Sequence, residues 1–218
     1  MNIKPIAKIY TDFPEKFGIP RQAGLVRDLP GRIVFEEEFR VKEAVRELDS
    51  FSHIWLIWQF SENLREDWSP TVRPPRLGGN VRVGVFATRS PFRPNNLGLS
   101  CVALEKVDLE DPEGPVLYVR GADLMSGTPI YDIKPYIPYA DCRPEASEGF
   151  APAPKEHLSV AFLNGTEALA PAGLAEVLAL DPRPRYQKDD REYRMAFSRC
   201  EVSFRVEGDT LFVTGVST

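Results

Sequence analysis

The sequence predicts a mainly β protein in which a closed or nearly closed barrel is followed by a small α+β unit. Twenty prolines and only 15 glycines among 218 residues indicate many fixed turns and extended segments. Aromatic residues make up 11% of the chain, which favours strands over a helical bundle. Many short strand-like segments accompany a single convincing helix in the first half, an order typical of a barrel and not of a Rossmann sheet.

The first 60 residues contain three predicted strands and one predicted helix. Residues 3–10 and 31–36 have the pattern of strands. Residues 39–48 place apolar side chains at helical spacing, which predicts a short helix. Residues 51–60 are apolar on both faces and rich in β-branched and aromatic side chains, which predicts a central strand buried on both sides, with its tryptophans in the core.

The rest of the chain divides into the remaining barrel strands and a second unit. Further strands are predicted at 81–87, 97–107, 116–120 and 130–133. Residues 143–154 accumulate Pro, Ala, Ser, Glu and Gly without periodicity, which predicts a domain boundary. We therefore expect a barrel domain in residues 1–146 and a small α+β domain in residues 147–218. In the second domain we expect a strand at 158–163, a helix at 166–180 and a hairpin spanning 193–216.

Composition excludes several classes of protein. The three cysteines are far apart and lack Cys-x-x-Cys spacing, so neither a disulfide framework nor a zinc site is predicted, and two histidines give no basis for any other metal site. This cysteine usage favours the reducing cytoplasm. The first residues form no apolar signal region, and no run of 18 uncharged apolar residues occurs. The sequence therefore predicts neither export nor a membrane span.

One segment contrasts with the net charge of −5. Residues 68–104 contain no Asp or Glu but five arginines, namely Arg73, Arg76, Arg82, Arg89 and Arg93. Guanidinium groups on a proline-rich loop suit an anionic ligand, either phosphate-bearing nucleic acid or a nucleotide-like cofactor. The acidic pI of about 5.3 argues against indiscriminate nucleic-acid binding and favours a selective partner. The alternative for Arg89 and Arg93 is pairing with a carboxylate distant in sequence.

A second candidate is the segment around residue 134. Asp132, Lys134 and Tyr136 alternate, so in an extended strand they lie on one face. Because this face combines a carboxylate, an amine and a phenol, it is our candidate for catalysis. The alternative is a strand with a solvated polar edge that ends at the following prolines.

Common catalytic signatures are missing, including G-x-G-x-x-G, Walker A, H-E-x-x-H and G-x-S-x-G. Four other segments carry a specific resemblance: KFGIPRQ at 16–22, FSHIW at 51–55, ATRSPFRPN at 87–95 and GTPIYDIKPY at 127–136. In this order they closely resemble the TsaA-like family over residues 1–142. The tail resembles the bacterial C-terminal extension through residues 181–184 and 193–197.

The resemblance implies both a fold and an activity. The expected fold is a TsaA-like β-barrel, in a homodimer. The expected reaction is methylation of N6-threonylcarbamoyladenosine at position 37, beside the anticodon of threonine tRNA, with S-adenosyl-L-methionine as the methyl donor. Two alternatives remain open: a non-catalytic RNA-binding or S-adenosylmethionine-sensing module on the same barrel, and a hydrolase or transferase acting on a small nucleotide-like substrate.

Carried over residue by residue, the resemblance also implies a cofactor site. It places the cofactor against Pro20, Arg21, Gln22, His53, Ile54, Arg89, Leu99, Ser126, Gly127, Thr128 and Pro129. The family more often has Asp before Gly-Thr-Pro, whereas the hydroxyl of Ser126 accepts a ribose hydrogen bond without charge assistance. Without the resemblance, residues 20–22 are equally consistent with a solvated turn, and His53 with a core histidine bonded to a carbonyl.

The expected acceptor nitrogen is urea-like, so it is a poor nucleophile until its proton leaves. We therefore expect Asp132 to take or relay that proton, Lys134 to stabilise the developing negative charge, and Tyr136 to orient the base. The roles of Asp132 and Lys134 could be exchanged. The expected contacts with the tRNA anticodon loop are Arg73, Arg76, Phe92, Arg93, Arg183 and Arg185. Acidic residues interleave with the last two, so a solvated mixed-charge surface is an equal alternative there.

Overall fold

A computed structural model describes residues 3–63, 67–152, 157–183 and 191–218. Its first eight strands are β1 (Ala7–Thr11), β2 (Pro30–Phe35), β3 (His53–Gln59), β4 (Thr71–Val72), β5 (Val83–Gly84), β6 (Leu97–Asp108), β7 (Val116–Arg120) and β8 (Thr128–Pro135). Six of them close a barrel in the order β1-β2-β7-β6-β3-β8, and every neighbouring pair is antiparallel. The predicted mainly β barrel is confirmed.

Strand β3 shows how the barrel divides its side chains between two faces. Ile54, Leu56 and Trp58 point inward and are buried in the barrel core. Trp55 and Ile57 point outward and are only partly buried. The predicted strand buried on both sides is therefore wrong, as is a core position for Trp55, because this outer face of the barrel carries no covering layer in the described chain. The Trp55 indole Nε1 instead donates to Asp141 Oδ2 over 3.0 Å.

Two predicted elements of the first domain differ from the structure. The predicted helix at 39–48 is a series of 3-10 turns at Glu37–Phe39, Lys42–Val45 and Leu48–Ser50. Glu47 has a left-handed φ of 65°, which interrupts any α-helix there. The predicted strand at 81–87 is limited to β5, which pairs only with β4 and continues into a 3-10 turn at Val85–Ala87.

The C-terminal part forms a second sheet. After the short helix α1 (Pro138–Asp141), the chain forms β9 (Ser159–Phe162), α2 (Leu174–Ala179), β10 (Tyr193–Phe197), β11 (Cys200–Glu207) and β12 (Thr210–Ser217). The sheet order is β10-β11-β12-β9, with β9 parallel to β12. The predicted α+β unit is confirmed, but the predicted helix at 166–180 is reduced to a 3-10 turn and α2, because Gly173 between them has a φ of 80°.

The loop between β1 and β2 belongs to the core of the C-terminal sheet. The Phe13 ring packs edge-on against Phe197 with centroids 5.4 Å apart, and the Phe17 ring stacks on Phe204 at 6.4 Å. The two parts of the chain therefore share one hydrophobic cluster, and the division at 146/147 stays a prediction. No helix in the described ranges is long and apolar enough to cross a membrane.

Candidate active site

A cavity of about 660 Å³ opens at one end of the barrel, where β1, β3 and β7 end and β6 and β8 begin. We call it the barrel-end cavity. Its volume falls within the range of small-molecule sites, roughly 300–1,000 Å³. The sequence-predicted residues that line it are Pro20, Arg21, Gln22, Arg89, Arg93, Leu99 and Thr128. Segments far apart in sequence meet here because the antiparallel barrel brings their connections to one end.

Two arginines of the acid-free segment give the cavity positive charge. Arg93 Nη1 donates to the Thr88 carbonyl oxygen over 3.0 Å, which holds its side chain along the loop. Arg89 Nη1 donates to Gln22 Oε1, which joins the segment at 87–95 to the segment at 16–22. Neither arginine forms an ion pair with a carboxylate in the described ranges. The Arg89 charge does oppose the rise in the pKa of Asp123, so this distant carboxylate lies within electrostatic reach of Arg89, and both arginines line the cavity.

Sequence reasoning missed the main carboxylate of the cavity, Asp123. Ser100 Oγ donates to Asp123 Oδ1 over 2.6 Å and itself accepts from Trp58 Nε1 over 3.0 Å. Burial raises the pKa of Asp123 above its usual value, and the Ser100 hydrogen bond only partly opposes this effect. The one sequence signal was a lone acid between Ala122 and Leu124. It is insufficient alone, because the partners of Asp123 come from other strands.

The turn before β8 differs from the site that the resemblance implies. Thr128 is buried in the cavity wall, and its Oγ1 donates to the Met125 carbonyl over 2.6 Å. The Ser126 hydroxyl instead accepts from the Thr11 amide at 3.3 Å, and Gly127 is exposed at the turn with a φ of 84°. Neither Ser126, Gly127 nor Pro129 lines the cavity. Asp123, three residues earlier, places a carboxylate in this wall.

The remaining wall is largely apolar. It is formed by Ile19, Trp58, Phe60, Leu97 and Leu99. Gly98 lies so close to the Trp58 ring that any side chain at position 98 would overlap it. An apolar wall beside the carboxylates of Glu62 and Asp123 and the cations of Lys16, Arg21, Arg89 and Arg93 suits a ligand with a flat ring and ionised substituents.

The predicted catalytic residues lie outside the cavity, on the outer face of the barrel. Lys134 Nζ is 3.1 Å from Asp132 Oδ2, and both side chains are partly exposed. The Tyr136 ring lies 6.2 Å from the ring of His53, at the start of β3. Gln59, at the other end of β3, lines the cavity, so His53 is about 20 Å away at roughly 3.3 Å per residue.

Ile54 also has a place other than the one that the resemblance implies. It is completely buried in the barrel core, beside Leu56 on the inward face of β3. Its side chain therefore lines no ligand site within one chain. Of the other sequence-predicted residues, His53 and Ile54 lie at the opposite end of β3, whereas Asp132 pairs with Ile57, closer to the cavity.

The predicted RNA contacts have different environments. Arg73 is exposed, and Phe92 is half-buried in the loop beside Arg93. Arg183 forms two hydrogen bonds with Asp181, of 2.8 and 3.0 Å, and only 12% of its side chain is exposed, which does not suit a phosphate contact. The Arg76 side chain and all of Arg185 lie outside the described residues.

Fold and cavity define a β-barrel protein that holds a small ligand at one end of its barrel. Two family models match the chain: the tRNA-methyltransferase O N-terminal domain at residues 8–142 and the TrmO C-terminal domain at residues 157–218. The chain therefore belongs to the tRNA-methyltransferase O family, as the resemblance predicted.

Individual relatives agree with this assignment. The Escherichia coli K12 protein named tRNA (adenine(37)-N6)-methyltransferase is 42% identical over 85% of this chain and 83% of its own length. A Pseudomonas aeruginosa protein named putative S-adenosylmethionine-dependent methyltransferase RcsF is 40% identical over 87% of this chain and 84% of its own. The crystal structure of TrmO from Pseudomonas aeruginosa aligns with a TM-score of 0.80 and 31% identity, covering 100% of this chain and 99% of that one.

Proposed function

We propose that the protein transfers a methyl group from S-adenosylmethionine to N6-threonylcarbamoyladenosine at anticodon-loop position 37 of threonine tRNA. The observation that carries the proposal is the barrel-end cavity, which joins Asp123, Arg89, Arg93 and an apolar wall in a member of the tRNA-methyltransferase O family. The relative from Escherichia coli is named for methylation of the same nucleotide position. The proposal includes a cytoplasmic location, where tRNA is available.

The residues of the cavity fit S-adenosylmethionine. The adenine ring suits the apolar wall of Ile19 and Leu97, and the ribose hydroxyls or the positive centres suit the Asp123 carboxylate. Arg89 and Arg93 suit the carboxylate of the methionine moiety. When bound, the cofactor supplies an electrophilic methyl group. The role of the protein is to hold the methyl donor and the acceptor nitrogen in line and to exclude water from them.

Residues of the outer face prepare the acceptor nitrogen in this proposal. Asp132 takes or relays its proton, and Lys134, 3.1 Å from Asp132, stabilises the negative charge that develops. Burial raises the pKa of Tyr136 above its usual value, so the phenol keeps its proton and acts as a hydrogen-bond donor. Tyr136 therefore orients its neighbours and does not serve as the base.

The proposal also includes a homodimer. Within one chain, His53 is about 20 Å from Gln59, the cavity-lining end of β3, at roughly 3.3 Å per residue. The family resemblance nevertheless assigns His53 and the cavity-lining residues to one cofactor site. Trp55, Ile57 and Leu99 lie side by side on the outer face, and Leu99 is 53% exposed. A second copy packed on this face would cover apolar surface and could bring one chain's His53 to the other chain's cavity.

The reaction is tested by mass spectrometry of nucleosides from tRNA incubated with the purified protein and S-adenosylmethionine. We expect a methyl mass gain on threonylcarbamoyladenosine, and none in tRNA that lacks this modification. The Arg89→Ala variant is expected to lose the gain, whereas Arg205→Ala, on the C-terminal sheet, keeps it. Cofactor binding without any methyl gain would reject the enzyme and favour the sensing module.

The catalytic and dimeric parts of the proposal have separate tests. Asp132→Asn is expected to slow single-turnover methyl transfer by about 100-fold, the usual size of general-base catalysis; a rate within a few-fold of wild type would remove Asp132 as the base. For the dimer, we expect an equimolar mixture of inactive His53→Ala and Arg89→Ala chains to regain activity, because one mixed site keeps both residues. Monomeric wild-type protein in sedimentation would contradict the shared site.

A further inference from the structure

An exposed aromatic pair lies outside every site described above. The Trp68 and Phe86 rings stack with centroids 6.2 Å apart and an interplanar angle of 27°. Trp68 is 50% exposed and Phe86 is 72% exposed. Single exposed apolar side chains are common in proteins, but two stacked rings that are both this exposed form a patch that indicates a binding surface.

The backbone holds this pair firmly in position. Along the chain, strands β4 and β5 lie between Trp68 and Phe86. They pair as a small antiparallel ladder, with Thr71 opposite Gly84. The amide of Val85, which is 1% exposed, donates to the Pro70 carbonyl over 2.9 Å. Phe86 therefore follows directly after a buried anchor. The surface is formed before any ligand arrives, so binding pays little ordering entropy.

The pair lies beside the barrel-end cavity. Phe86 is two residues from Thr88, which lines the cavity, and Thr88 is tied back to Val85 by its amide at 3.1 Å and its hydroxyl at 2.8 Å. A polymer whose reacting nucleotide enters the cavity would thus have its neighbouring nucleotides near Trp68 and Phe86.

Positive charge surrounds the pair on one side. Arg73 and Arg82 extend from the β4–β5 hairpin, both are exposed, and Arg82 Nη1 donates to Thr71 Oγ1 over 3.0 Å. In the described ranges neither forms an ion pair, whereas Lys4 and Arg120 on the same barrel have carboxylate partners. Asp67 directly precedes Trp68, so phosphate groups are expected on the arginine side of the rings.

We propose that Trp68 and Phe86 form a stacking platform for an unpaired base of single-stranded RNA, with Arg73 and Arg82 contacting the adjoining phosphates. Every base offers a π face to an aromatic ring, and this stacking is strong without sequence readout. Exposed aromatic rings with cations beside them are the combination by which proteins bind single-stranded nucleic acid. The platform extends the proposed function, since it would hold the tRNA loop beside the cavity.

The test measures RNA binding without cofactor, so it does not depend on methyl transfer. The probe is a short hairpin RNA with 2-aminopurine in its single-stranded loop, whose fluorescence falls when the base stacks. Wild-type protein is expected to quench it. Phe86→Ala and Trp68→Ala are expected to abolish the quench and weaken binding at least about fivefold, the lower range for loss of one stacked base. Phe86→Tyr keeps the ring and is expected to restore both signals.

Matched variants separate stacking from exposure and charge. Tyr10→Ala removes an aromatic side chain that is 45% exposed on β1, and we expect it to leave RNA binding unchanged. Arg82→Ala is expected to lower the salt dependence of binding by about one unit of log–log slope while keeping the quench. In the methyl-transfer assay, Phe86→Ala is expected to raise the KM for tRNA and leave kcat unchanged.

Three results would overturn the platform: no quench by the wild type, an affinity of Phe86→Ala equal to that of wild type, or a change of oligomeric state in Phe86→Ala at unchanged RNA affinity. The last would assign the patch to a second copy of the chain. The two proposals can also fail separately. If the wild-type protein transfers no methyl group but quenches the probe, and Phe86→Ala does not quench it, the proposed function is rejected and the stacking platform is kept.

Discussion

The Ser100 hydroxyl donates a hydrogen bond of 2.6 Å to the Asp123 carboxylate in the wall of the barrel-end cavity. The same oxygen accepts from the buried Trp58 indole at 3.0 Å, so one hydroxyl satisfies two groups from different strands. This arrangement fixes both the orientation of the carboxylate and the position of the tryptophan below it.

Ser100→Ala is therefore expected to destabilise the protein by about 1–3 kcal/mol, because the Trp58 N–H is left without an acceptor in the core. It should also raise the pKa of Asp123 further, since the hydrogen bond from Ser100 lowers that pKa in the wild type. Urea unfolding measures the first effect, and carboxyl NMR titration the second. Ser100→Thr keeps the hydroxyl and serves as control; equal stability of Ser100→Ala and wild type would contradict the shared role.

Asp123→Asn is expected to show opposite effects on stability and on ligand binding. Burial raises the folded-state pKa of Asp123, so its stabilising contribution is complete below the unfolded value of roughly 4 and is lost as pH rises through the folded value. The variant avoids that loss and should gain stability relative to wild type as pH rises above about 4. Its affinity for S-adenosylmethionine should fall about tenfold, the usual scale for a charged hydrogen bond. Calorimetric titration measures this affinity, and an unchanged value would remove Asp123 from the cofactor site.

Asp141→Asn is the matched control with the opposite pH dependence. The Ile137 amide and the Trp55 indole donate to Asp141 and hold the pKa of its carboxyl below the usual value. Its contribution is present above the unfolded value of about 3.9 and is lost as pH falls through the folded value. The variant should be less stable than wild type at pH 7, with the difference shrinking toward pH 2. Thermal unfolding across this range measures it, and a difference that grows on acidification would contradict the assignment.

Gly18→Ala is expected to weaken cofactor binding through the C-terminal sheet. A side chain at position 18 would overlap Met195 of β10, and Gly18 has a φ of 93°, so the loop must move together with Pro20 and Arg21. We expect S-adenosylmethionine affinity to fall tenfold or more, since misplacement by about 1 Å can cost roughly 100-fold in rate.

The control for Gly18→Ala is Gly208→Ala in the β11–β12 turn. Gly208 has a φ of 58° with open space around it, so an alanine there meets left-handed backbone strain without steric overlap. We expect it to lose stability, about 1 kcal/mol, and to keep cofactor affinity. A similar loss of affinity in both variants would show that general destabilisation, and not the contact with Met195, governs binding.

The barrel could be predicted because its strands carry their own signals, namely β-branched and aromatic residues between proline and glycine turns. The helices at 39–48 and 166–180 were predicted wrongly, because apolar spacing does not reveal that Glu47 and Gly173 adopt left-handed backbone angles. The outer position of Trp55 was also hidden, since an apolar strand has the same sequence pattern whether one face or both are covered.

The candidate site was predictable only where residues lie in recognisable segments, such as Gln22 and Arg89. Asp123 was not, because a carboxylate acquires its role from the strands that bury it, and Ser100 and Trp58 reach it only in the folded barrel. The separation of His53 from the cavity likewise depends on the length and direction of β3, which no local motif contains.

The aromatic side chains of the β1–β2 loop connect ligand binding to the order of synthesis along the chain. Phe13 and Phe17 are synthesised long before Phe197 and Phe204, the rings that bury them. Residues 20–22 of the cavity therefore gain this support only after β10 and β11 have been made. Cofactor capture is expected to begin only once these two strands dock, so a chain truncated before residue 193 should bind S-adenosylmethionine poorly.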